Sequence, residues 1–283
     1  MSRATSAALP VEAARRRYAK AVLRMAGTDD PRIEACFAEL PREAFLPPPP
    51  WTVLNAGVAT QTSDVADLYQ DVLVALDRRQ GINNGEPALH AAWLAAVDLQ
   101  PGEVAVHVGT GGGYYTAMLS RLVAPDGRVE AYEAHEGLAA LAGENLRPYR
   151  NVAVHAGSAF GRKLPAADVV YVNAGVFAPD PEWLRALRPG GRLIFPWQPT
   201  AQWGPAMLVR RRPGGFSAEA IMSVGFVVCT GQPIGRSGEI TRVGLDATRS
   251  VWLKEDRPPD DTATAIYDAL WFSAEPGEPR PEV

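Results

Sequence analysis

The chain has 283 residues, 47% hydrophobic and 21% charged, enough to bury one substantial core with appendages around it. A formal net charge of -4 gives no general attraction to phosphate backbones or acidic membrane surfaces, so neither a nucleic-acid nor a membrane partner is expected. Cys36 and Cys229 form no C-x-x-C pair, and His90, His107, His135 and His155 show no i, i+4 ligand spacing, which argues against disulfides and a metal site.

The first twenty residues lack the apolar core of a secretory signal. No window reaches the ~18 uninterrupted apolar residues of a membrane span, so a cytoplasmic protein is expected. Residues 11–26 read as a basic amphipathic helix, with Arg15, Arg16 and Arg17 most simply a solvated face. Residues 30–40 read as a second helix, with Asp30 as N-cap and Pro31 at its first position. The run LPPPP (46–50) predicts an extended polyproline segment.

From 87 to 196 the pattern is regular. PALHAAWLAAV (87–97) places Leu89, Trp93, Ala96 and Val97 on one helical face. Five apolar runs suit buried parallel strands: 103–108, 128–133, 151–156, 168–173 and 192–196. Helical stretches at 114–123, 136–146 and 181–187 fill three of the four intervals, which predicts an α/β Rossmann-like, doubly wound, mostly parallel sheet. Residues 206–212 and 216–229 flank the turn signal RPGG and predict a C-terminal antiparallel hairpin at the sheet edge. The pattern weakens over 231–272, and the tail from 273 reads as disordered. The expected division is an N-terminal helical and extended subdomain (1–80), a cofactor-binding domain (81–230) and a C-terminal extension (231–283).

VHVGTGGGYYTAML (106–119) runs a strand into Gly109, Thr110, Gly111, Gly112 and Gly113 and then straight into a helix. Glycines at the carboxyl end of a strand let backbone and helix N-terminus approach a nucleotide-like ligand. A dinucleotide fold requires G-x-G-x-x-G/A, and counting from Gly109 puts the bulky Tyr114 at the third glycine, which argues against a nicotinamide-dependent oxidoreductase. Glu133 closes the next strand.

The G-x-G-x-G spacing with Glu133, together with LRPGGRLIFP (187–196), resembles the class I S-adenosyl-L-methionine (SAM) methyltransferases. PREAFLP (41–47), LYQD (68–71) and a polar run before Pro87 resemble, more narrowly, the protein-L-isoaspartate O-methyltransferase family over about residues 30–200. The resemblance implies SAM as cofactor and a cofactor site drawn from His107, Gly109, Thr110, Gly111, Gly113, Tyr114, Glu133, Gly157, Ser158 and Asn173.

The chain departs from the family at GINNGEP (81–87), where Gly81 and Asn83 or Asn84 replace a T-I-S segment. Their amides either position a substrate carboxyl group or serve only as turn and cap residues. His107 stands where the family has an acid, either altering the cofactor contacts or packed within the sheet end. Ser158 stands where the family offers an aspartate to the adenine.

Asn83, Asn84 and Asn173 are the expected orienting groups for in-line methyl transfer to a carboxylate. That carboxylate, with a reference pKa near ~4, needs no general base. The expected acceptor is a peptide, protein or small-molecule carboxyl group. The competing reading is a catalytically degenerate protein that binds SAM or its demethylated product as a regulatory ligand. Oligomeric state is not legible.

Overall fold

The computed structural model describes residues 10–199, 203–232 and 238–277. The chain divides into two compact units, one up to Ala95 and one from Ala96 onward.

The first unit begins with α1 (Val11–Ala26), which ends on Gly27 at φ 69°, the left-handed turn that closes many helices. α2 (Pro31–Glu39) starts as predicted, with the Asp30 carboxylate accepting from the Arg32 N–H at 2.8 Å. Arg16 and Arg17 are exposed. Arg15 is not part of a solvated face: it donates to the Glu39 carbonyl at 3.0 Å and lies 5.7 Å from the Tyr69 ring centroid.

After a short 3-10 turn over Arg42–Phe45, the proline run bends at 48–50 instead of staying extended. Four strands follow, β1 (Trp51–Asn55), β2 (Val58–Thr62), β3 (Leu73–Asp77) and β4 (Ile82–Asn83), paired antiparallel in the order β2-β1-β3-β4. Their apolar side gathers Trp51, Val53, Val72 and Val74 under Leu46 and Leu68. The N-terminal region is therefore a mixed helix and sheet unit, its extended part forming strands.

The division falls inside α3 (Pro87–Val97). Its fully buried residues are His90, Ala91, Trp93, Leu94 and Val97, whereas Leu89 and Ala96 are only half-buried. The buried stripe is thus rotated from the one the sequence predicts.

The second unit alternates as expected: β5 (Val104–Val108), α4 (Tyr114–Val123), β6 (Arg128–Glu133), α5 (Glu136–Asn145), β7 (Val152–Ala156), β8 (Ala167–Val172), α6 (Pro181–Ala186) and β9 (Leu187–Pro196). These five strands are parallel in the order β9-β8-β5-β6-β7. The order reverses direction at β5, so the crevice beyond the carboxyl ends of β5 and β8 is where an open α/β sheet takes its ligand.

The predicted hairpin forms as β10 (Trp203–Arg212) and β11 (Gly215–Gly225), but it is not the sheet edge. The weakly patterned region adds β12 (Glu239–Ile240), β13 (Ser250–Leu253), β14 (Ala263–Ile266) and β15 (Leu270–Ser273), and β13 pairs with β11. The result is one eleven-stranded sheet, β12-β14-β15-β13-β11-β10-β9-β8-β5-β6-β7. The start of the predicted disordered tail is ordered, since Ser273 closes β15 and the backbone of Gly277 packs on that of Phe216. Residues 278–283 lie outside the described residues.

Candidate active site

Two chain segments meet at the carboxyl end of β5. The Gly109 N–H donates to the Tyr132 carbonyl at 2.9 Å, and the Asn173 N–H donates to the Val108 carbonyl at 2.8 Å. Gly109 has φ 81°, and a Cβ there would sit 3.0 Å from the Asn173 carbonyl oxygen, so only glycine lets the loop lie this close to the end of β8. Gly113, at φ 97°, begins α4, and a Cβ on it would meet the Leu146 side chain at 2.9 Å. The Thr110 hydroxyl donates to the Tyr132 carbonyl at 3.2 Å, and Asn145 ties the Gly112 carbonyl from α5 at 2.9 Å. The loop is thereby fixed from both sides before any ligand arrives.

Glu133 ends β6 and is nearly buried. One carboxylate oxygen accepts from the Gly111 N–H at 2.7 Å and the other from the His135 N–H at 2.9 Å. An ionised carboxylate has about four acceptor positions, so roughly two remain, one on each oxygen. A vicinal diol matches that remainder. The Gly157 N–H donates to the Glu133 carbonyl at 2.8 Å, which brings the β7 end alongside. The next residue, Ser158, accepts from the Phe160 N–H at 3.1 Å, and Gly231 lies against it so closely that a Cβ would be 2.8 Å from its hydroxyl oxygen. Tyr114 is buried at the start of α4, edge-on to Tyr115 at 5.2 Å. Thus Gly109, Thr110, Gly111, Gly113, Glu133, Gly157, Ser158 and Asn173 are gathered at one end of the parallel strands.

His107 is placed differently. It is fully buried in β5, its Nδ1 lies 2.8 Å from the Thr116 hydroxyl in α4, and its ring stands edge-on to Tyr171 at 5.6 Å. Nε2 is buried with no partner among the described residues. Burial pulls its pKa down to about 3. Of the two roles open to it, this geometry is that of a neutral packed side chain, and such a group cannot serve as a base near neutral pH.

In the first unit, GINNGEP separates its two asparagines. Asn83 accepts the Gly85 N–H at 2.9 Å, a local turn bond. Asn84 is buried. Its side-chain oxygen accepts from the Val74 N–H at 2.9 Å and from Arg42 at 3.2 Å, which fixes the amide orientation and leaves Nδ2 buried without a partner among the described residues.

The motifs PREAFLP and LYQD contribute two further side chains, Arg42 and Asp71. Buried Arg42 donates to the Leu68, Gln70 and Val72 carbonyls, so PREAFLP grips LYQD directly, and the Asp71 carboxylate accepts the Ala88 N–H at 2.7 Å at the start of α3. The Glu86 carboxyl is pushed up by burial and then by the charge of Asp71, a carboxylate pair that separation in sequence had hidden.

A glycine loop leaning on a strand-end acid, at the reversal point of a parallel sheet extended by antiparallel strands, defines a class I methyltransferase. The model of the family described as protein-L-isoaspartate(D-aspartate) O-methyltransferase matches residues 21–233. A protein-L-isoaspartate O-methyltransferase of Aeropyrum pernix is 32% identical over 192 residues, covering 66% of this chain and 68% of that protein. A solved structure titled protein-L-isoaspartate O-methyltransferase covers 91% of this chain and 86% of its own, with TM-score 0.67 at 20% identity. Another, a putative enzyme of that name from Plasmodium falciparum in complex with S-adenosyl-L-homocysteine, gives TM-score 0.62 at 18% identity, covering 77% of this chain and 99% of its own. The chain belongs to the protein-L-isoaspartate(D-aspartate) O-methyltransferase family, and it is a SAM-dependent methyltransferase. No helix among the described residues is long and apolar enough to cross a membrane, and no cluster of three or more His, Cys, Asp or Glu among them could hold a metal ion.

Proposed function

We propose that the protein transfers a methyl group from SAM to the side-chain carboxylate of an isoaspartyl residue in a peptide or protein. The observation that carries the reading is the Glu133 carboxylate, anchored by the Gly111 and His135 N–H groups with one acceptor position left on each oxygen. When bound, the cofactor supplies a methyl group on a sulfonium with a neutral thioether as leaving group. In this reading Glu133 holds the ribose, the Gly109–Gly113 backbone takes the methionyl portion, and Ser158 faces the adenine in place of an aspartate.

The acceptor carboxylate, with a reference pKa near ~4, is ionised at neutral pH, so the chain need only orient it and exclude water. Among the orienting candidates, Asn84 has the stronger case, because a buried unpaired N–H₂ costs about 1–3 kcal/mol unless an acceptor reaches it. Asn83 spends its oxygen on the turn. Asn173 stands at the end of β8 beside the glycine loop, where an orienting amide is useful. The catalytic region is assigned to residues 81–230, in the cytoplasm.

The test uses tritiated SAM with an isoaspartyl peptide, its aspartyl isomer and a panel of small acids. Base-labile label on the isoaspartyl peptide is expected, with little on the others. Glu133→Gln should weaken SAM binding by about 10- to 100-fold, the scale of a hydrogen bond to a charged group. Transfer restricted to small acids, or SAM affinity unchanged in Glu133→Gln, overturns the assignment.

A further inference from the structure

The second unit holds a cleft of about 460 Å³, counting its open mouth, that no step of methyl transfer uses. Four segments build it: the loop leading into α6, Phe160 after β7, Gln232 after β11, and the stretch from Tyr267 to Leu270 that turns from β14 into β15. That turn lies beyond residues 21–233, the span matched by the family.

The walls are apolar and partly aromatic, with Phe160, Phe177 and Tyr267 joined by Pro179. Tyr267 is held in place by its hydroxyl, which accepts from Trp197 Nε1 at 2.9 Å. The polar groups of the lining are mostly occupied. Both Asp180 oxygens accept backbone N–H groups, from Gly161 at 2.7 Å and from Glu182 at 2.8 Å.

Gln232 is the exception. It is 9% exposed, its Oε1 accepts from the Phe177 N–H at 3.0 Å, and its Nε2 is buried with no partner among the described residues. Because Oε1 is the acceptor in that bond, the amide orientation is set and Nε2 is a free donor. A buried donor left unmatched in the wall of a cleft is costly, and a small turn of the side chain toward a ligand acceptor relieves it.

The lining contains no lysine, arginine or histidine, and it carries Asp180 and Asp268. An anion would meet only like charge. We infer that this cleft is a second ligand site, taking a small, flat, uncharged aromatic molecule that presents a carbonyl or ring-nitrogen acceptor to Gln232. The inference stands apart from the methyl-transfer reading, since none of the residues assigned to SAM or the acceptor lines the cleft.

The test is ligand-observed saturation-transfer NMR and calorimetry on the full chain, with benzamide as probe and benzoate as its anionic counterpart, each with and without saturating S-adenosyl-L-homocysteine. Benzamide is expected to bind and benzoate to bind at least tenfold more weakly. Gln232→Leu should weaken benzamide about tenfold, and Ala269→Trp, which fills the cleft from the extension, should abolish binding. Retained S-adenosyl-L-homocysteine affinity in both variants shows that they are folded, and either variant alone suffices for the test. Absence of benzamide binding, equal binding of benzoate, binding indifferent to both substitutions, or displacement of benzamide by S-adenosyl-L-homocysteine would overturn the site. Isoaspartyl methyl transfer, measured separately, is expected to continue in Ala269→Trp, so failure of one proposal is distinct from failure of the other.

Discussion

His107 is held in the protein as an uncharged ring, and that has a consequence for acid stability. Unfolded, the imidazole takes a proton near 6.5, whereas burial between β5 and α4 lowers this to about 3 in the fold. Between those values the unfolded chain binds more protons than the folded one, so stability rises with pH there. The contribution is fully present above pH 6.5 and is lost as the pH falls from 6.5 toward 3. His107→Asn keeps a polar atom near the Thr116 hydroxyl and removes the titration. Urea unfolding at pH 7 and pH 4.5 should show wild type losing about 2.5 kcal/mol more than the variant across that interval, following ~1.4 kcal/mol per pH unit below pH 6.5. Equal losses would mean that the ring is solvated or charged in the fold.

At the scale of elements, the passage from β5 through the glycines into α4 depends on backbone shape more than on side chains. At Gly109, alanine would have to hold φ 81° with its Cβ 3.0 Å from a backbone oxygen. At Gly143, inside α5, a Cβ meets nothing within 4 Å. One substitution type should therefore act with opposite signs: Gly109→Ala is expected to cost about 1–3 kcal/mol and weaken SAM binding, while Gly143→Ala should gain about 0.5–1 kcal/mol. Thermal melts with and without SAM check both.

The same contrast shows what the sequence made legible. β5 and β8 are almost wholly buried and so read as apolar runs, whereas β7 at the sheet edge is only part-buried and is legible from its valines alone; the glycines stand out because a sharp strand-to-helix turn admits little else. β2 was invisible because Val58, Ala59 and Thr60 are exposed, leaving no alternation to detect. β14 was hidden for the reverse reason: Ala263, Thr264 and Ala265 are buried but too small or polar to signal it. Asn83 and Asn84 looked equivalent in sequence. Only the pairing of Asn84 with β3 and Arg42 tells them apart, and that depends on residues 10 and 42 positions away.

On the scale of the whole second unit, the C-terminal extension shares a core with the catalytic strands. One continuous cluster runs from Val106 and Val170 through Phe195 and Trp197 to Phe216, Val251 and Phe272. Phe272 is fully buried and stacks on Trp197 at 4.1 Å, while Tyr267 from the same extension accepts the Trp197 N–H. A core shared in this way melts as one body, so damage in β15 is damage to the SAM site. Phe272→Ala should cost about 3–5 kcal/mol, the usual range for a buried phenylalanine emptied to a methyl group.

The expected signature is a shift of the whole transition, with tryptophan fluorescence and S-adenosyl-L-homocysteine binding lost at the same lowered urea concentration. If binding persisted in Phe272→Ala at urea concentrations where the fluorescence change was complete, the extension would be an independently stable appendage. Cutting the chain after Gln232 would then leave a working methyltransferase. With β11 stripped of β13 and Trp197 of both aromatic partners, that truncation is expected instead to yield insoluble protein.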